Sequence, residues 1–519
     1  MSKLRFISLV AACLSATLAT THGMAAEMQR IEALAKLPFE QNRPTPETAK
    51  TLMDELTFQR AMQTYLWAMP LLNTAGMRDG AAEAFGTGYN VMPIWTKRLD
   101  AKTKITTPNS DLIYGMVFAN LANTGPLVFE APSKLQGILL DFWQRPMPVD
   151  GGKFFGDLGL PGPDAGAGGK FLILPPGYNQ AVPNGYYIYR STTNNIFIFL
   201  RAFYADPADT SPAVDLLKQS AIYPLDKKDS AKPMEFPDAS GKQLNMLPSN
   251  DAAAFDQLKQ IVDDEGTNLA GPDWLGMLQG IGIVFDLPFD PDERTRTILE
   301  AAAKTGYKTS RVLGFTPGMK GVNFHVYEDR RWLNPVNNVT AHWPNTPLDL
   351  TFKATGDAGF RELDARAWFF TDYYSISPGM VSMTPGKGAF YMIAFDDADG
   401  DPLVGKQSYV VNLPKDIPAE LFWSVTLYEA ENASGLANGQ PFPSLGKLDQ
   451  PKQNADGSTD IYIGPEAPEG KEENWLATAP NRGFFAILRL YAPAQAALNG
   501  TWRPGDLEKV NETSKTQAR

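Results

Sequence analysis

The side chains best suited to chemistry lie in one polar stretch, residues 106–114, which leads into a predicted strand. Asn109 and Asp111 can hydrogen-bond to nearby backbone and hold a turn, while Pro108 biases Thr107 towards an extended conformation. A loop that a rigid strand positions is a common place for ligand-binding groups. An ordinary turn that only shapes the loop is the alternative, and the sequence leaves both interpretations open.

Four more side chains are candidates for the same ligand site. Asp141 lies in a neighbouring predicted strand, so Asp111 and Asp141 are a candidate carboxylate pair for acid/base chemistry on a glycosidic bond. Tyr114 and Trp143 can stack on a sugar or an aromatic ligand, and Arg201 can reach the same region. The structural alternatives are core packing for the two rings and an Asp–Arg ion pair for the charged groups.

Several familiar chemistries are excluded by the cysteine and histidine content. The 519 residues include one cysteine and three histidines. Removal of the predicted leader takes away Cys13 and His22, and it leaves His325 and His342, which we interpret as structural. Zinc sites built from four cysteines, from paired cysteines and histidines, or from three histidines are therefore impossible, and no Gly-x-Ser-x-Gly elbow is present. The sequence predicts no zinc site and no cofactor.

An acidic run at residues 396–401 has the composition of a calcium loop. Its glycine does not stand at the sixth position that an EF-hand requires. A hairpin turn between two strands is the preferred interpretation, because Asp and Gly are typical turn residues. Calcium binding stays open, since oxygen ligands are plentiful.

The N-terminus has the pattern of an export signal. Lys3 and Arg5 form a basic start, an apolar run follows at residues 6–18, and Gly23 and Ala25 fit a small-residue cleavage site near Ala25 or Ala26. We therefore interpret residues 1–26 as a signal peptide and expect a soluble periplasmic or secreted protein. A lipoprotein-like box ending at Cys13 is the competing interpretation.

The net charge and the lengths of the apolar runs limit the kinds of partner that the protein is expected to bind. The net charge of −11 argues against nucleic acid or anionic lipid as the main partner. No later stretch reaches the about 18 consecutive apolar residues that suggest a membrane span. A small-molecule ligand and self-association both remain open.

The first half of the chain changes from helical to strand-like patterns. Residues 27–88 are predicted to be helical, with Thr45 as N-cap and Pro46 at the first helical position. Residues 89–205 carry short strand-like runs between Gly- and Pro-rich turns, and residues 112–121 are predicted to form a largely buried strand. This spacing is typical of a β-sandwich or barrel.

The second half repeats that alternation. Residues 206–310 are predicted to form a helical module, with Asp290 capping its last helix. Residues 311–510 return to longer strands, which favours a jelly roll, and residues 511–519 are a polar tail. The predicted class is therefore mainly β with helical segments.

Several motifs, found in fixed order over roughly residues 50–505, resemble two paired bacterial exported families, the domains of unknown function 1254 (N-terminal) and 1214 (C-terminal). The motifs are Thr107-Pro108-Asn109-Ser110-Asp111 with Tyr114, and then Phe422-Trp423-Ser424-Val425-Thr426-Leu427-Tyr428, Asp456-Gly457-Ser458, Gly464-Pro465, Asn474-Trp475, Leu488-Arg489-Leu490-Tyr491 and Trp502-Arg503-Pro504. The resemblance implies an immunoglobulin-like sandwich, a helical module and a jelly roll. It implies no established activity.

Two classes of function follow from these observations. The first is an enzyme or binder acting on a small organic molecule or saccharide in a pocket near residues 107–114. The second is a structural or assembly protein whose β-domains contact other proteins. Under the first hypothesis, Asp111→Asn is expected to abolish the ligand response at an almost unchanged melting temperature. Trp423, Asn474, Trp475 and Arg489 are interpreted as sheet anchors rather than as a second pocket.

Overall fold

The computed structural model describes residues 29–315, 325–334, 363–380 and 384–510. The described chain is rich in β-sheet with helical segments, which confirms the predicted class at that level. The predicted signal peptide, His342 and the polar tail lie outside the described residues. Within the described ranges, no helix combines the length and apolar character needed to cross a bilayer.

Helices lie mainly in the first two-thirds of the described chain, and strands are found throughout. The helices include α1 (Pro46–Trp67), α2 (Met69–Phe85), α3 (Leu121–Thr124), α4 (Ser211–Lys218), α5 (Ala253–Glu265), α6 (Pro272–Gln279), α7 (Glu293–Phe315), α8 (Leu363–Asp372) and α9 (Gln495–Leu498). The strands include β1 (Phe39–Glu40), β2 (Arg43–Pro44), β3 (Thr103–Lys104), β4 (Ile113–Asn120), β5 (Leu127–Ala131), β6 (Gln136–Asp141), β7 (Asp157–Leu158), β8 (Gly169–Leu174), β9 (Tyr187–Arg190), β10 (Asn195–Ala202), β11 (Ala221–Pro224), β12 (Leu244–Asn245), β13 (Ala389–Ala394), β14 (Tyr409–Leu413), β15 (Trp423–Glu429), β16 (Ser444–Gly446), β17 (Thr459–Gly464), β18 (Trp475–Ala477), β19 (Phe484–Tyr491) and β20 (Glu508–Lys509).

Sixteen of these strands form four four-stranded sheets. In the N-terminal half, sheet A has the order β4-β10-β6-β7 and sheet B the order β11-β5-β8-β9. In the C-terminal half, sheet C has the order β13-β19-β15-β16 and sheet D the order β18-β17-β14-β20. The pairs β8–β9 and β17–β18 are parallel, and the other pairs within these sheets are antiparallel.

Sheet A is buried on both faces, which confirms the prediction of a buried strand at residues 112–121. Neighbouring side chains of a strand point to opposite faces. Ile113 and Ile198 therefore pack into the core shared with sheet B. Tyr114 and Phe199 point the other way, into a cluster that includes Tyr491 of sheet C. The two halves of the chain thus meet along the outer face of sheet A.

The helical module and the first pair of sheets are continuous. Strand β11 lies beyond residue 205, yet Ile222 pairs with Phe129 of β5, so sheet B is completed by the segment predicted to be helical. The helix predicted to be capped by Asp290 begins two residues later, since Asp292 accepts the Thr295 backbone N–H at 2.7 Å. The prediction therefore named the wrong carboxylate, because Asp292 and not Asp290 accepts the hydrogen bond at the start of this helix.

The predicted N-cap of α1 is confirmed, and its contribution can be measured. Thr45 Oγ1 accepts the Thr48 backbone N–H at 3.1 Å, and Pro46 occupies the first helical position. We expect Thr45→Ala to lower the free energy of unfolding by about 1 kcal/mol, because an N-terminal N–H of α1 loses its partner. Thr57→Ala, at a partly exposed position in the middle of the same helix, is the matched control and should change stability by less. Equal losses in the two variants in urea denaturation would contradict this assignment.

Candidate functional site

A small cavity lies where sheet A meets sheet C. Its volume is about 60 Å³. The lining residues are Thr107, Asn109, Tyr114, Phe199, Arg201, Phe369, Tyr373, Tyr374, Ser375, Met380, Tyr391, Ile487, Arg489 and Tyr491. We call it the junction cavity. Of the side chains proposed from the sequence, the structure brings Asn109, Tyr114 and Arg201 together here.

The loop at residues 107–111 is held by the C-terminal half of the chain. The Asp111 backbone N–H donates to Asn109 Oδ1 at 2.8 Å, which is the predicted side-chain turn. Asn109 Nδ2 also donates to the Tyr491 hydroxyl, and the Tyr428 hydroxyl donates to the Pro108 carbonyl at 2.6 Å. Asn109 therefore both shapes the turn and faces the cavity, so the ligand-site and turn interpretations of this loop are compatible.

The extended conformation predicted for Thr107 is wrong. Its φ is 37°, in the left-handed region, instead of the extended conformation expected before Pro108. The backbone N–H of Thr107 donates to the Ala433 carbonyl at 2.6 Å, and its hydroxyl donates to the Asp372 carbonyl at 2.8 Å. Tertiary hydrogen bonds on both groups hold the unfavourable conformation. Such strain is often found at functional sites.

Asp111 does not line the junction cavity. Its side chain is 2% exposed and pairs with Arg98 at 2.7 Å, while Ser444 Oγ donates to it at 3.1 Å. Arg98 also pairs with Asp449 of the C-terminal half. Asp111 therefore belongs to a buried ion cluster that fastens the two halves together beside the cavity.

Asp141 and Trp143 lie elsewhere in the molecule. Asp141 pairs with Arg145 at 2.7 Å and accepts a hydrogen bond from the Thr192 hydroxyl at 2.6 Å. The Trp143 ring packs edge-on against Trp67, with centroids 4.9 Å apart. Neither side chain lines the junction cavity, so the structure does not unite Asp111 and Asp141 as an acid/base pair at that cavity.

Two arginines of the cavity face neutral groups. Arg489, which is 4% exposed, donates to the Thr426 hydroxyl and to the Thr107 carbonyl, both at 3.3 Å. Its guanidinium also lies 5.6 Å from the centre of the Tyr391 ring. Arg201 lies 5.8 Å from the centre of the Phe199 ring, and its Nε has no hydrogen-bond partner among the described residues. The cavity therefore carries positive charge.

Three tyrosines of the cavity, Tyr114, Tyr374 and Tyr491, stay neutral at physiological pH. Burial raises the pKa of Tyr114, Tyr374 and Tyr491 above the ordinary value, because the phenolate would be desolvated. Their hydroxyls therefore serve as hydrogen-bond donors or acceptors without adding negative charge. The charge of the two arginines is not offset by these groups.

Asp157 is a buried carboxyl group in the neighbourhood of Arg201. Burial raises its pKa from 3.8 to about 6, against the opposing effects of hydrogen bonds from Ser377 and the Gly379 backbone and the charge of Arg201. The Gly379 N–H donates to Asp157 Oδ2 at 2.8 Å, whereas Oδ1 has no hydrogen-bond partner within the described chain. Asp157 thus offsets part of the positive charge of Arg201 only when it is ionised.

The acidic run at residues 396–401 forms the expected turn and binds a side chain of this protein. The Asp397 backbone N–H donates to the Asp401 carbonyl at 2.9 Å. Lys509 Nζ lies 3.1 Å from Asp397, 3.2 Å from Asp399 and 2.5 Å from Asp401. An ammonium group therefore occupies the position among the three carboxylates that a cation would take.

Sequence reasoning missed the contribution of sheet C to the cavity. Arg489 was interpreted as a sheet anchor, and its hydrogen bond to the Thr107 carbonyl does anchor the loop, but the same side chain lines the cavity. The available signal was a charged residue in the middle of the apolar strand β19, whose other members are all buried and uncharged. Tyr374 and Met380 follow α8 in an irregular segment, where no periodic pattern pointed to them.

Comparison with known proteins identifies two families in the predicted order. The family described as protein of unknown function DUF1254 matches residues 89–224, and the one described as protein of unknown function DUF1214 matches residues 388–495. The comparison with curated proteins gave no match. Both matched families lack an assigned activity.

Two crystal structures are similar to most of this chain. A protein from Vibrio parahaemolyticus shares 19% sequence identity, with 88% of this chain and 100% of that chain covered and a TM-score of 0.49. An uncharacterized protein from Burkholderia cenocepacia shares 14% identity, with 90% and 98% covered and a TM-score of 0.42. Neither similarity assigns an activity to the junction cavity.

Proposed function

This chain carries a DUF1254 domain followed by a DUF1214 domain, and we propose that it binds a small organic molecule in the junction cavity between them. One observation carries the proposal. Polar side chains from sequence-distant strands, Asn109 and Arg201 in one half and Arg489 in the other, line one cavity together with aromatic rings. Binding sites commonly form where two domains meet, and they combine apolar walls with a few convergent polar groups.

The size of the cavity limits the ligand. Its volume of about 60 Å³ is far below the ~300–1,000 Å³ of sites for drug-sized molecules. The ligand in this proposal is therefore small, or it enters with only its polar end. A saccharide fits this space poorly, whereas a short organic molecule with one polar group fits it well.

The proposal includes the compartment and the finer fold. Residues 1–26 act as a signal peptide, so the ligand is met in the periplasm or outside the cell. Sheets A and B form an immunoglobulin-like sandwich, and sheets C and D form a jelly roll. In this arrangement each domain supplies one rigid wall of the cavity.

A thermal-shift screen of the purified protein tests the proposal. A ligand that binds only the native state raises the melting temperature. We expect Ile487→Phe to remove the response of any stabilising compound, because Ile487 lines the cavity and the larger ring fills it. Ile461→Phe is the matched control, since Ile461 is equally buried in the separate core beneath sheet D. Both variants should be less stable than the wild type, by about 1–3 kcal/mol.

Three outcomes are informative. Loss of the ligand response in Ile487→Phe, with a retained response in Ile461→Phe, supports the junction cavity. A full response in Ile487→Phe places the ligand elsewhere and contradicts the proposal. A broad screen in which no compound stabilises the wild-type protein contradicts it as well.

A further inference from the structure

The junction cavity contains two cations and no carboxylate in ion-pair contact with them. Within the described residues, no Asp or Glu side chain forms a salt bridge with Arg201 or Arg489. The two arginines occupy equivalent positions in their sheets: Arg201 pairs with Tyr114 across β10 and β4, and Arg489 pairs with Tyr391 across β19 and β13. The two walls of the cavity thus each present one guanidinium group beside a tyrosine.

The nearby carboxylates are engaged by other groups. Asp111 is paired with Arg98, and Asp372 is paired with Arg311. Asp157 accepts a hydrogen bond from the Gly379 N–H at 2.8 Å. Asp111 and Asp372 are thus paired with other arginines. Ionised Asp157 offsets part of the charge of Arg201 but forms no ion pair with it, so the direct contacts of both cavity arginines among the described residues are with neutral groups.

Cation–π contact is the structural alternative for these arginines. Arg489 lies over the Tyr391 and Tyr428 rings at 5.6 and 5.4 Å, and Arg201 lies near the Phe199 ring. Such contacts stabilise a cation, but they leave its planar N–H donors without charged acceptors. Buried charges in proteins are normally paired, because desolvation without a counter-charge is costly. Arg489 is buried and donates to neutral oxygens, whereas Arg201 is only partly buried. The buried Nε–H of Arg201, which has no hydrogen-bond partner among the described residues, is the feature that cation–π contact does not explain.

We infer that the ligand of the junction cavity is a small organic carboxylate, bound through its oxygens by Arg201 and Arg489. This inference rests on the proposed function and names the chemical class of the ligand. A guanidinium group offers parallel N–H donors that match the two oxygens of a carboxylate. Asn109 and Tyr491, which also line the cavity, supply neutral hydrogen-bonding groups beside that position.

The apolar part of the lining favours a carboxylate over inorganic phosphate. Phe199, Phe369, Met380 and Ile487 surround the polar groups with hydrocarbon. Such walls pack against the organic body of a ligand, whereas a fully polar anion gains nothing from them. The ligand is therefore an anion at one end and apolar at the other.

Isothermal titration of matched pairs tests this inference. The probes are benzoate against benzamide, acetate against acetamide, and inorganic phosphate. We expect each carboxylate to bind roughly tenfold to a hundredfold more tightly than its amide, because charge-assisted hydrogen bonds are lost in the amide. Phosphate should bind more weakly than benzoate.

Arg201→Gln is the decisive variant, since Arg201 makes no structural hydrogen bond or ion pair in the described chain. It should fold with a melting temperature equal to or above that of the wild type, and it should remove most of the preference for carboxylate over amide. Arg190→Gln is the matched control, because it deletes the same charge from an exposed arginine paired with Asp150. Arg489→Lys keeps the charge but not the paired donors, so it should weaken carboxylate binding without abolishing it.

The outcomes separate this inference from the proposed function. If neutral probes bind as tightly as carboxylates and Ile487→Phe blocks both, the cavity is a binding site but the carboxylate assignment is wrong. If no probe binds, or if binding survives Ile487→Phe, both the inference and the proposed function are contradicted. If Arg190→Gln loses the carboxylate preference as fully as Arg201→Gln does, general charge attraction explains the result and the inference is wrong.

Discussion

Arg98→Ala is expected to lower the free energy of unfolding by about 3–5 kcal/mol. The Arg98 side chain joins Asp111 of the N-terminal half, at 2.7 Å, to Asp449 of the C-terminal half. Without the guanidinium, the Asp111 carboxylate stays 2% exposed and has no counter-charge. Urea denaturation at neutral pH measures the loss.

A double variant shows whether the unpaired carboxylate causes that loss. Arg98→Met combined with Asp111→Leu removes both buried charges and should unfold at a higher urea concentration than Arg98→Ala. A loss below about 1 kcal/mol in Arg98→Ala would show that the cluster is solvated and that the two halves are held by other contacts.

The same cluster changes the expectation for Asp111. From the sequence alone, Asp111→Asn was expected to abolish the ligand response at an almost constant melting temperature. Because Asp111 pairs with Arg98 and does not line the cavity, we now expect Asp111→Asn to lower the melting temperature. Any loss of ligand response should follow from displacement of the loop at residues 107–111.

The stability of Asp157→Asn relative to the wild type is expected to increase as the pH rises from 4 to 8. The folded-state pKa of Asp157 is raised to about 6 from 3.8, mainly by burial. The folded protein therefore holds a proton that the unfolded chain releases. Its contribution to stability is complete below pH 3.8 and is lost as the pH rises through about 6. That loss amounts to roughly 3 kcal/mol, and asparagine avoids it because it does not ionise.

The pH dependence is the useful readout for this variant. At Asp157 Oδ1, which has no hydrogen-bond partner in the described chain, an amide NH2 would be an unsatisfied donor and would lower stability by a similar amount at every pH. The difference between Asp157→Asn and the wild type should therefore move in favour of the variant between pH 4 and pH 8. A difference that stays constant over this range would contradict a raised pKa for Asp157.

Local patterns in the sequence determined the features that depend on neighbouring residues. The buried strand β4, the N-cap at Thr45 and the turn made by Asn109 were all predicted correctly. Each rests on periodicity or on hydrogen bonds that span at most a few residues, as with the Asp111 N–H and Asn109 Oδ1. The motifs in fixed order also predicted the two families that the chain matches.

Which residues come together at the junction cavity and at the ion cluster beside it depends on the tertiary structure alone. Arg489 meets the Thr107 carbonyl across 382 positions of sequence, and Arg98 meets Asp449 across 351. Arg98 is paired with carboxylates, whereas Arg201 and Arg489 face the cavity. This difference depends on how sheets A and C pack against each other. The left-handed conformation of Thr107 likewise depends on partners in the other half of the chain. No local pattern encodes these contacts, because their free energy arises only when two distant, separately predictable strands are brought face to face.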